Sequence, residues 1–505
     1  MSARSTLSTE PPLLLIDGTF TPALDARRTI TINPSTGEPL AEVPDGSPKD
    51  VERAVDAADR AFPAWAALTL NERGRCFDRF AELLVEHQEE LAQIEALDSG
   101  NPVRAMRGDV QQCLPYLDGW PRLAAALTGD VVPVPGGGLH YTEYRPFGVT
   151  GRITAFNHPL LFAVTRPLPA LITGNTVVMK PSHQTPLVTL RLGQLFAEAF
   201  PPGVVNIVTG GVEPGRALVR HPKVKRLAFT GSVETGLAIQ RDAADSGRVK
   251  QVSLELGGKN AMIVFPDADP DEIADAIIFG MNLTVCQGQS CGSTSRVLLH
   301  DRIHDDVVDA LSERLAALRV GVASEETTDV GPLVGQAHLD RVRGFIASGD
   351  NAGAKRIIGG DHPSDVPHGG FYINPALFAD VQPDMQIAQE EIFGPVISAL
   401  RWNDLDTAIE IANSVSLGLT GSIWTRDIDL ALTTARRLDT GYVWINDATR
   451  HFFMTPFGGT KDSGVGREES ADELLTYLET TATHIRLRSP ADSMPRIAEL
   501  EVPPR

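Results

Sequence analysis

Between residues 176 and 229 the chain reads Thr176-Val177-Val178-Met179, a helical stretch from Leu187 to Phe200, Val204-Val205-Asn206-Ile207-Val208, and then Leu227-Ala228-Phe229. Each apolar run is short and closed by Gly, Pro or a polar turn, the pattern of a strand buried on both faces. Strands of this kind alternating with helices predict a parallel α/β sheet covered on both sides. Towards the N-terminus, Ser47-Pro48 supplies a helix cap and first residue, and Val51, Val55, Ala58 and Phe62 follow at helical spacing. Phe77, Phe80, Leu84, Leu91 and Ile94 predict one further amphipathic helix. Towards the C-terminus a second strand series begins at Gln251-Val252-Ser253-Leu254 and Met262-Ile263-Val264-Phe265, and Asp269-Pro270 opens a helix. Two α/β units are therefore expected to meet near residue 255.

Bulk properties narrow the function. The 505 residues carry 45 Lys and Arg against 65 Asp and Glu, a formal charge of −20, with no basic block. That balance argues against nucleic acid or an anionic membrane surface as partner and favours a small molecule. No apolar run approaches a membrane span, and the N-terminus lacks the basic region and apolar core of a signal peptide. Four cysteines (Cys76, Cys113, Cys286, Cys291) provide no disulfide framework, so a cytoplasmic, reducing location is expected. Met1 to Pro12 and residues 489–505, the latter with four prolines, are expected to be loosely held. No His and Cys spacing suggests a metal site.

Three motifs carry chemistry. In Gly288-Gln289-Ser290-Cys291-Gly292-Ser293-Thr294-Ser295-Arg296, a cysteine among small residues can expose its sulfur beside backbone N–H groups, as a thiolate nucleophile and an oxyanion site require. In Leu254-Glu255-Leu256-Gly257-Gly258-Lys259, a lone carboxylate inside an apolar strand is either ion-paired or raised in pKa and usable as a general base. In Phe229-Thr230-Gly231-Ser232-Val233-Glu234-Thr235-Gly236, a strand runs through a glycine turn into a helix N-terminus, which suits phosphate. Gly210-Gly211-Val212-Glu213-Pro214-Gly215 reads as a turn only.

Taken in order, and joined by Glu391-Ile392-Phe393-Gly394-Pro395 and by Pro456-Phe457-Gly458-Gly459-Thr460-Lys461-Asp462-Ser463-Gly464, these motifs resemble the aldehyde dehydrogenase superfamily. The resemblance runs from about Leu13 to Ile485. It implies a Rossmann-like cofactor domain (1–125 and 147–256), an α/β catalytic domain (257–457) and a small β extension for oligomerisation (126–146 and 475–488), assembled as a homodimer or homotetramer. It implies oxidation of an aldehyde to an acid through a cysteine thiohemiacetal and thioester. Cys291 matches the nucleophile, Asn157 the side chain that completes the oxyanion hole, and Glu255 the general base. Cys286 has no family role and is expected in the core. For the cofactor, Lys180 matches the ribose ligand, Gly231, Ser232 and Gly236 the phosphate turn, and Glu391 and Phe393 the nicotinamide end.

The chain departs from the family in places. His183 stands where a carboxylate commonly favours NAD, so the cofactor is expected to be NAD with NADP possible. Phe156 replaces the usual Trp before Asn157, and Arg166 replaces a common Lys. By the same analogy His158, Leu161, Phe162, Thr165, Arg450, Phe452, Phe453, Met454 and Phe457 lie near the substrate. The phenylalanines favour an apolar or aromatic aldehyde, whereas Arg166 or Arg450 would hold the carboxylate of a semialdehyde acid. A CoA-acylating relative, a non-catalytic protein on this fold and a cofactor-free Cys–His hydrolase are the alternatives. Glu255 argues against the first; the intact Cys291, Glu255 and Asn157 set argues against the second; Lys180, Gly231 and Glu391 argue against the third.

Overall fold

Five parallel strands form the heart of the first sheet in the spatial order Val205–Ile207, Thr176–Lys180, Val149–Ile153, Val224–Thr230, Gln251–Glu255. In chain order this is 3-2-1-4-5, a dinucleotide-binding arrangement whose order reverses between Val149–Ile153 and Val224–Thr230. The computed structural model describes residues 12–133 and 138–487, so the expectation for 489–505 falls outside the described residues. Leu14–Ile16 and Thr19–Thr21 extend one edge of the sheet, and Gly464–Val465 returns from late in the chain to pair antiparallel with Leu254 and Glu255 on the other.

The second sheet begins six residues after Glu255 in sequence, at Ala261–Val264. Its order is Lys355–Ile358, Ala376–Ala379, Val396–Trp402, Arg296–His300, Ala261–Val264, Thr420–Trp424, Tyr442–Ile445, and only the first pair is antiparallel. Described residues of 126–146 and of 475–488 form a separate antiparallel sheet. There Gly138–Pro146 pairs along its whole length with Leu478–Arg486, and Val131–Val132 adds a short edge.

The helix expected from Phe77 to Ile94 is two helices, Leu70–Glu86 and Gln88–Ser99. The chain leaves helical geometry at His87 (φ −101°, ψ 11°), whose ring nitrogen bonds Glu90 at 2.9 Å. Past the break Glu95, Asp98 and Ser99 are buried, Glu95 accepting from the Leu160 N–H at 3.2 Å and Asp98 from the Leu187 N–H at 2.8 Å. The polar residues of that helix therefore point inward, which apolar periodicity alone does not convey.

Arg152, Arg226 and Arg296 are fully buried. Arg152 donates to Glu468 (2.6 Å) and Thr230 (2.9 Å), and Arg226 to Ser253 (2.8 Å) and the Thr476 carbonyl (3.0 Å). Arg296 donates to the carbonyls of Lys259 (2.9 Å), Ile411 (2.7 Å) and Ala412 (2.7 Å). The arginine five residues after Cys291 is thus a fastener for the start of its strand and the end of the helix Leu405–Asn413. A lysine cannot present the same fork to three carbonyls. Arg296→Lys is expected to destabilise the fold by about 2–4 kcal/mol, since each unsatisfied buried carbonyl costs on the order of 1–3 kcal/mol; a lower melting midpoint in thermal unfolding is the readout.

Candidate active site

A cleft of about 830 Å³ opens where the strand order of the first sheet reverses and runs to the start of the second sheet. Asn157, Lys180, His183, Gly231, Ser232, Glu255, Cys291, Glu391 and Phe393 all line it. Asn157 follows Val149–Ile153, Lys180 ends Thr176–Lys180, Gly231 and Ser232 follow Val224–Thr230, and Glu255 ends Gln251–Glu255. Four C-terminal strand ends therefore deliver these groups, as expected for an open parallel sheet. Gly236 is not in the lining: it lies in the helix Val233–Asp245, where a Cβ would stand 2.8 Å from Leu256. Its role in this geometry is close packing of that helix on the crossover.

Gly210 to Gly215, read from sequence as a turn only, is corrected here. It opens the helix Val212–Arg220, and Gly211, Val212, Gly215 and Arg216 form a wall of the cleft. The signal was its place directly after a parallel strand, the same context that marks Gly231 and Ser232.

Cys291 sits in the loop before Arg296–His300 and is only partly covered. The Asn260 side-chain amide donates to the carbonyls of Cys291 (2.7 Å) and Ser293 (2.9 Å), and its oxygen accepts from the Thr420 backbone (3.0 Å). A Cβ on Gly258 would lie 2.2 Å from the Cys291 carbonyl oxygen, and one on Gly257 would lie 2.2 Å from Glu391 Oε2. The two glycines are thus what allows the nucleophile loop and the Glu391 carboxylate to close on the crossover from opposite sides. Glu391 accepts from the Gly258 N–H at 2.9 Å.

At the far end of this contact Phe156 meets Phe393 (5.5 Å, 78°) and His338 (5.8 Å, 68°) edge to face. The His338 Nε2 donates to the Phe393 carbonyl at 2.6 Å, holding Phe393 at φ +61°. That conformation is strained for a bulky side chain, by on the order of 1–3 kcal/mol.

Burial dominates the electrostatics. It pushes the Cys291 thiol up to about 12, and the Glu391 and Glu255 carboxyls push in the same direction. Burial also holds Glu255 well above the carboxylate range, with repulsion from Glu468 adding to it and Arg166, Arg152 and Arg467 opposing, and Glu255 Oε2 has no partner among the described residues. Glu391 is pushed up to about 7 by burial. At the other end of the cleft burial lowers Lys180 to about 8, and burial together with the Lys180 charge lowers His183. The resting site is therefore largely uncharged around its sulfur.

Of the residues expected near the substrate, Leu161, Phe162, Arg166, Arg450, Phe452 and Phe457 are not among those lining this cleft. Arg166 is buried and paired with Glu468 (3.1 Å) and Glu469 (2.9 Å), so its guanidinium is committed to the protein and not open to a substrate carboxylate. Arg450 lies at the surface, 3.6 Å from Asp447 and over the Phe279 ring. Phe452 is exposed. Leu161 is partly covered and Phe162 is buried, with the Arg166 guanidinium 5.5 Å from the Phe162 ring centre. Phe457 is buried against His451 (4.3 Å) and Tyr442 (5.7 Å). Cys286, expected in the core, is fully buried.

Comparison with known proteins agrees with this architecture. The family model described as "Aldehyde dehydrogenase family" matches residues 20–483. An aldehyde dehydrogenase of Talaromyces stipitatus, tropH, is 47% identical over 94% of this chain and 93% of its own. A hydroxyisobutyraldehyde dehydrogenase of Mycolicibacterium austroafricanum is 41% identical over 97% of this chain and 96% of its own. The solved NAD+ complex of a Bacillus cereus aldehyde dehydrogenase superposes with a TM-score of 0.92 at 37% identity, covering 97% of this chain and 99% of that one. The chain belongs to the aldehyde dehydrogenase family.

Proposed function

We propose that this chain oxidises an apolar or aromatic aldehyde to the carboxylic acid with NAD, accepting NADP as well, and that Cys291, Asn157 and Glu255 carry the reaction. The observation behind the proposal is that these three side chains line one cleft together with a dinucleotide-type helix N-terminus. The residues fit a dinucleotide. Ser232 caps the helix Val233–Asp245 beside Gly231, Lys180 reaches the ribose end, and Glu391, Phe393 and Phe156 enclose the other end. When bound, NAD(P) supplies a hydride acceptor.

The chain's own residues would do the rest. The Cys291 sulfur, once deprotonated, attacks the aldehyde carbon. The resulting oxyanion is met by the Asn157 amide and the Cys291 backbone N–H. After oxidation to the thioester, Glu255 takes a proton from the attacking water, and the acid leaves as the sulfur regains its charge. A carboxyl kept uncharged by burial suits this task because its basicity is high once ionised. Glu255 supports water over CoA as acyl acceptor.

The apolar substrate reading is favoured over a semialdehyde acid by the engagement of Arg166 with Glu468 and Glu469. NADP is accommodated in this reading because position 183 offers an exposed imidazole beside Lys180 where a carboxylate would repel a 2′-phosphate. Assembly of two or four copies through the Gly138–Pro146 and Leu478–Arg486 sheet is part of the same proposal, supported by the exposed Val131, Val132 and Ile485 on it.

The deciding assay follows reduced nicotinamide with each cofactor over aliphatic, aromatic and carboxylated aldehydes. Cys291→Ala is expected to abolish turnover, and Asn157→Ala to lower kcat by about 10²–10³. Glu255→Gln is expected to leave a single burst of product followed by a stall, because the thioester forms without being hydrolysed. His183→Glu is expected to lower kcat/KM with NADP by about tenfold relative to NAD, the scale of one like-charge juxtaposition. Since burial raises the Cys291 thiol, its alkylation by iodoacetamide should climb steadily between pH 7 and 10 and reach no plateau near neutrality; a plateau at pH 7 would contradict this electrostatic picture.

A further inference from the structure

Four neighbouring parallel strands of the second sheet begin around one small cavity. Ala261–Val264 lies between Arg296–His300 and Thr420–Trp424, and Tyr442–Ile445 follows on the outer side. Residues at the starts of these strands, closed over by Ala412, Leu417 and Leu438, bound a space of about 10 Å³. That is room for one monatomic ion or one water and no more.

The lining holds two cations, Lys259 and Arg296, and no carboxylate among the described residues. Lys259 is 1% exposed, and its Nζ has no hydrogen-bond partner among the described residues. Thr440 Oγ1 is buried in the same unpartnered state. A Cβ on Gly421 would stand 3.6 Å from that hydroxyl oxygen. Gly421 and Arg296 flank Ala261 in register, so their side-chain positions share one face of the sheet. Lys259 stands two residues before Ala261 and returns to that face by alternation.

Arg296 commits its N–H groups to the carbonyls of Lys259, Ile411 and Ala412, so its charge stands there without a counter-charge. Burial brings the Lys259 ammonium down to about 7, with the Arg296 charge adding to this and Glu391 and Glu390 opposing. Burying two like charges around one small space is costly unless something offsets them.

We infer that this cavity is a binding site for a single halide ion such as chloride, held by Lys259 Nζ and Thr440 Oγ1. A halide accepts from an ammonium and a hydroxyl at once and offsets one of the two charges. A water would satisfy the same donors and leave both charges in place. A polyatomic anion such as sulfate or phosphate is too large for the space. Leu417 lines both this cavity and the cofactor cleft, and Lys259 follows the Gly258 whose N–H donates to Glu391. The ion therefore braces the crossover against a wall of the cleft.

The test uses the full-length protein exchanged into sodium gluconate and titrated with sodium chloride or bromide at constant ionic strength. The melting midpoint should rise by about 2–4 °C and level off, as filling of one site requires. Lys259→Met should abolish the rise. Thr440→Val should weaken the halide affinity by about fivefold, one hydrogen bond's worth. Wild-type crystals grown with bromide should show an anomalous peak within hydrogen-bonding reach of Lys259 Nζ and Thr440 Oγ1.

A midpoint that does not respond to halide, a response that never levels off, or a rise that survives in Lys259→Met would overturn the inference. So would bromide crystals in which the cavity holds water alone. If Lys259→Met does not fold, Thr440→Val and the wild-type anomalous signal decide the question.

Discussion

Two hydrogen atoms, those that replace a Cβ at Gly257 and Gly258, set the dimensions of the centre of this molecule. The chain leaves one sheet at Glu255 and enters the next at Ala261, and the five residues between them touch the nucleophile loop on one side and Glu391 on the other. Asn260 locks the arrangement by bonding to Cys291, Ser293 and Thr420 at once. Neither sheet owns the site. Its base comes from the end of the first, its sulfur from the loop preceding a strand of the second, and the crossover sets how far apart they are. Any side chain at 257 or 258 would act as a wedge between them.

Around that crossover the protein separates carboxylates into two populations. Glu468 is met by Arg152 at 2.6 Å and Arg166 at 3.1 Å, and their charges outweigh its burial and hold it below the ordinary range. Glu469 accepts from Arg166 and lies 3.1 Å from His451 Nδ1. Glu255 lies near the same cations yet has no such contact, and burial holds it well above the carboxylate range. Two groups of identical chemistry are thus pushed in opposite directions by placement alone. The arginine at 166 belongs to this division, which explains why it is not open to substrate.

Much of the site was legible because its chemistry constrains sequence locally. A strand end, a glycine turn and a small-residue loop around a cysteine each leave a compact signature, and Glu255, Gly231, Ser232 and Cys291 came together in one cleft while Gly236 packs behind it. The fold was legible for the same reason: short apolar strands bounded by turns, in an order that gave the parallel sheet. Features that arise only from long-range packing were hidden. Lys259, Arg296 and Thr440 are far apart in sequence yet line one cavity, and nothing local distinguishes an inward carboxylate on an amphipathic helix from an outward one. The break at His87 was missed because the apolar period continues across it. The wall at Gly211 and Gly215 was misjudged because its turn was weighed without the strand that precedes it. The phenylalanines expected at the substrate were placed by analogy with the family, and packing with neighbours such as Tyr442 and His451 decided where Phe457 went.

The edge of the first sheet has a consequence for how the polypeptide is made. Gly464–Val465 completes the sheet beside Gln251–Glu255; on its inner strands Arg152 finds its carboxylate only at Glu468, and Arg226, besides its bond to Ser253, donates to the Thr476 carbonyl. As the chain emerges from the ribosome, a cofactor-type sheet can collapse early, yet Arg152 then lacks its carboxylate and Arg226 part of its hydrogen bonding until residue 476 has appeared. Leaving such charges unpaired in a low-dielectric interior is costly. The second sheet must therefore be threaded out before the first can settle. The two units are separate in architecture but simultaneous in assembly, and a nascent chain halted between them is a sheet with an open edge and a buried arginine, Arg152, without its carboxylate.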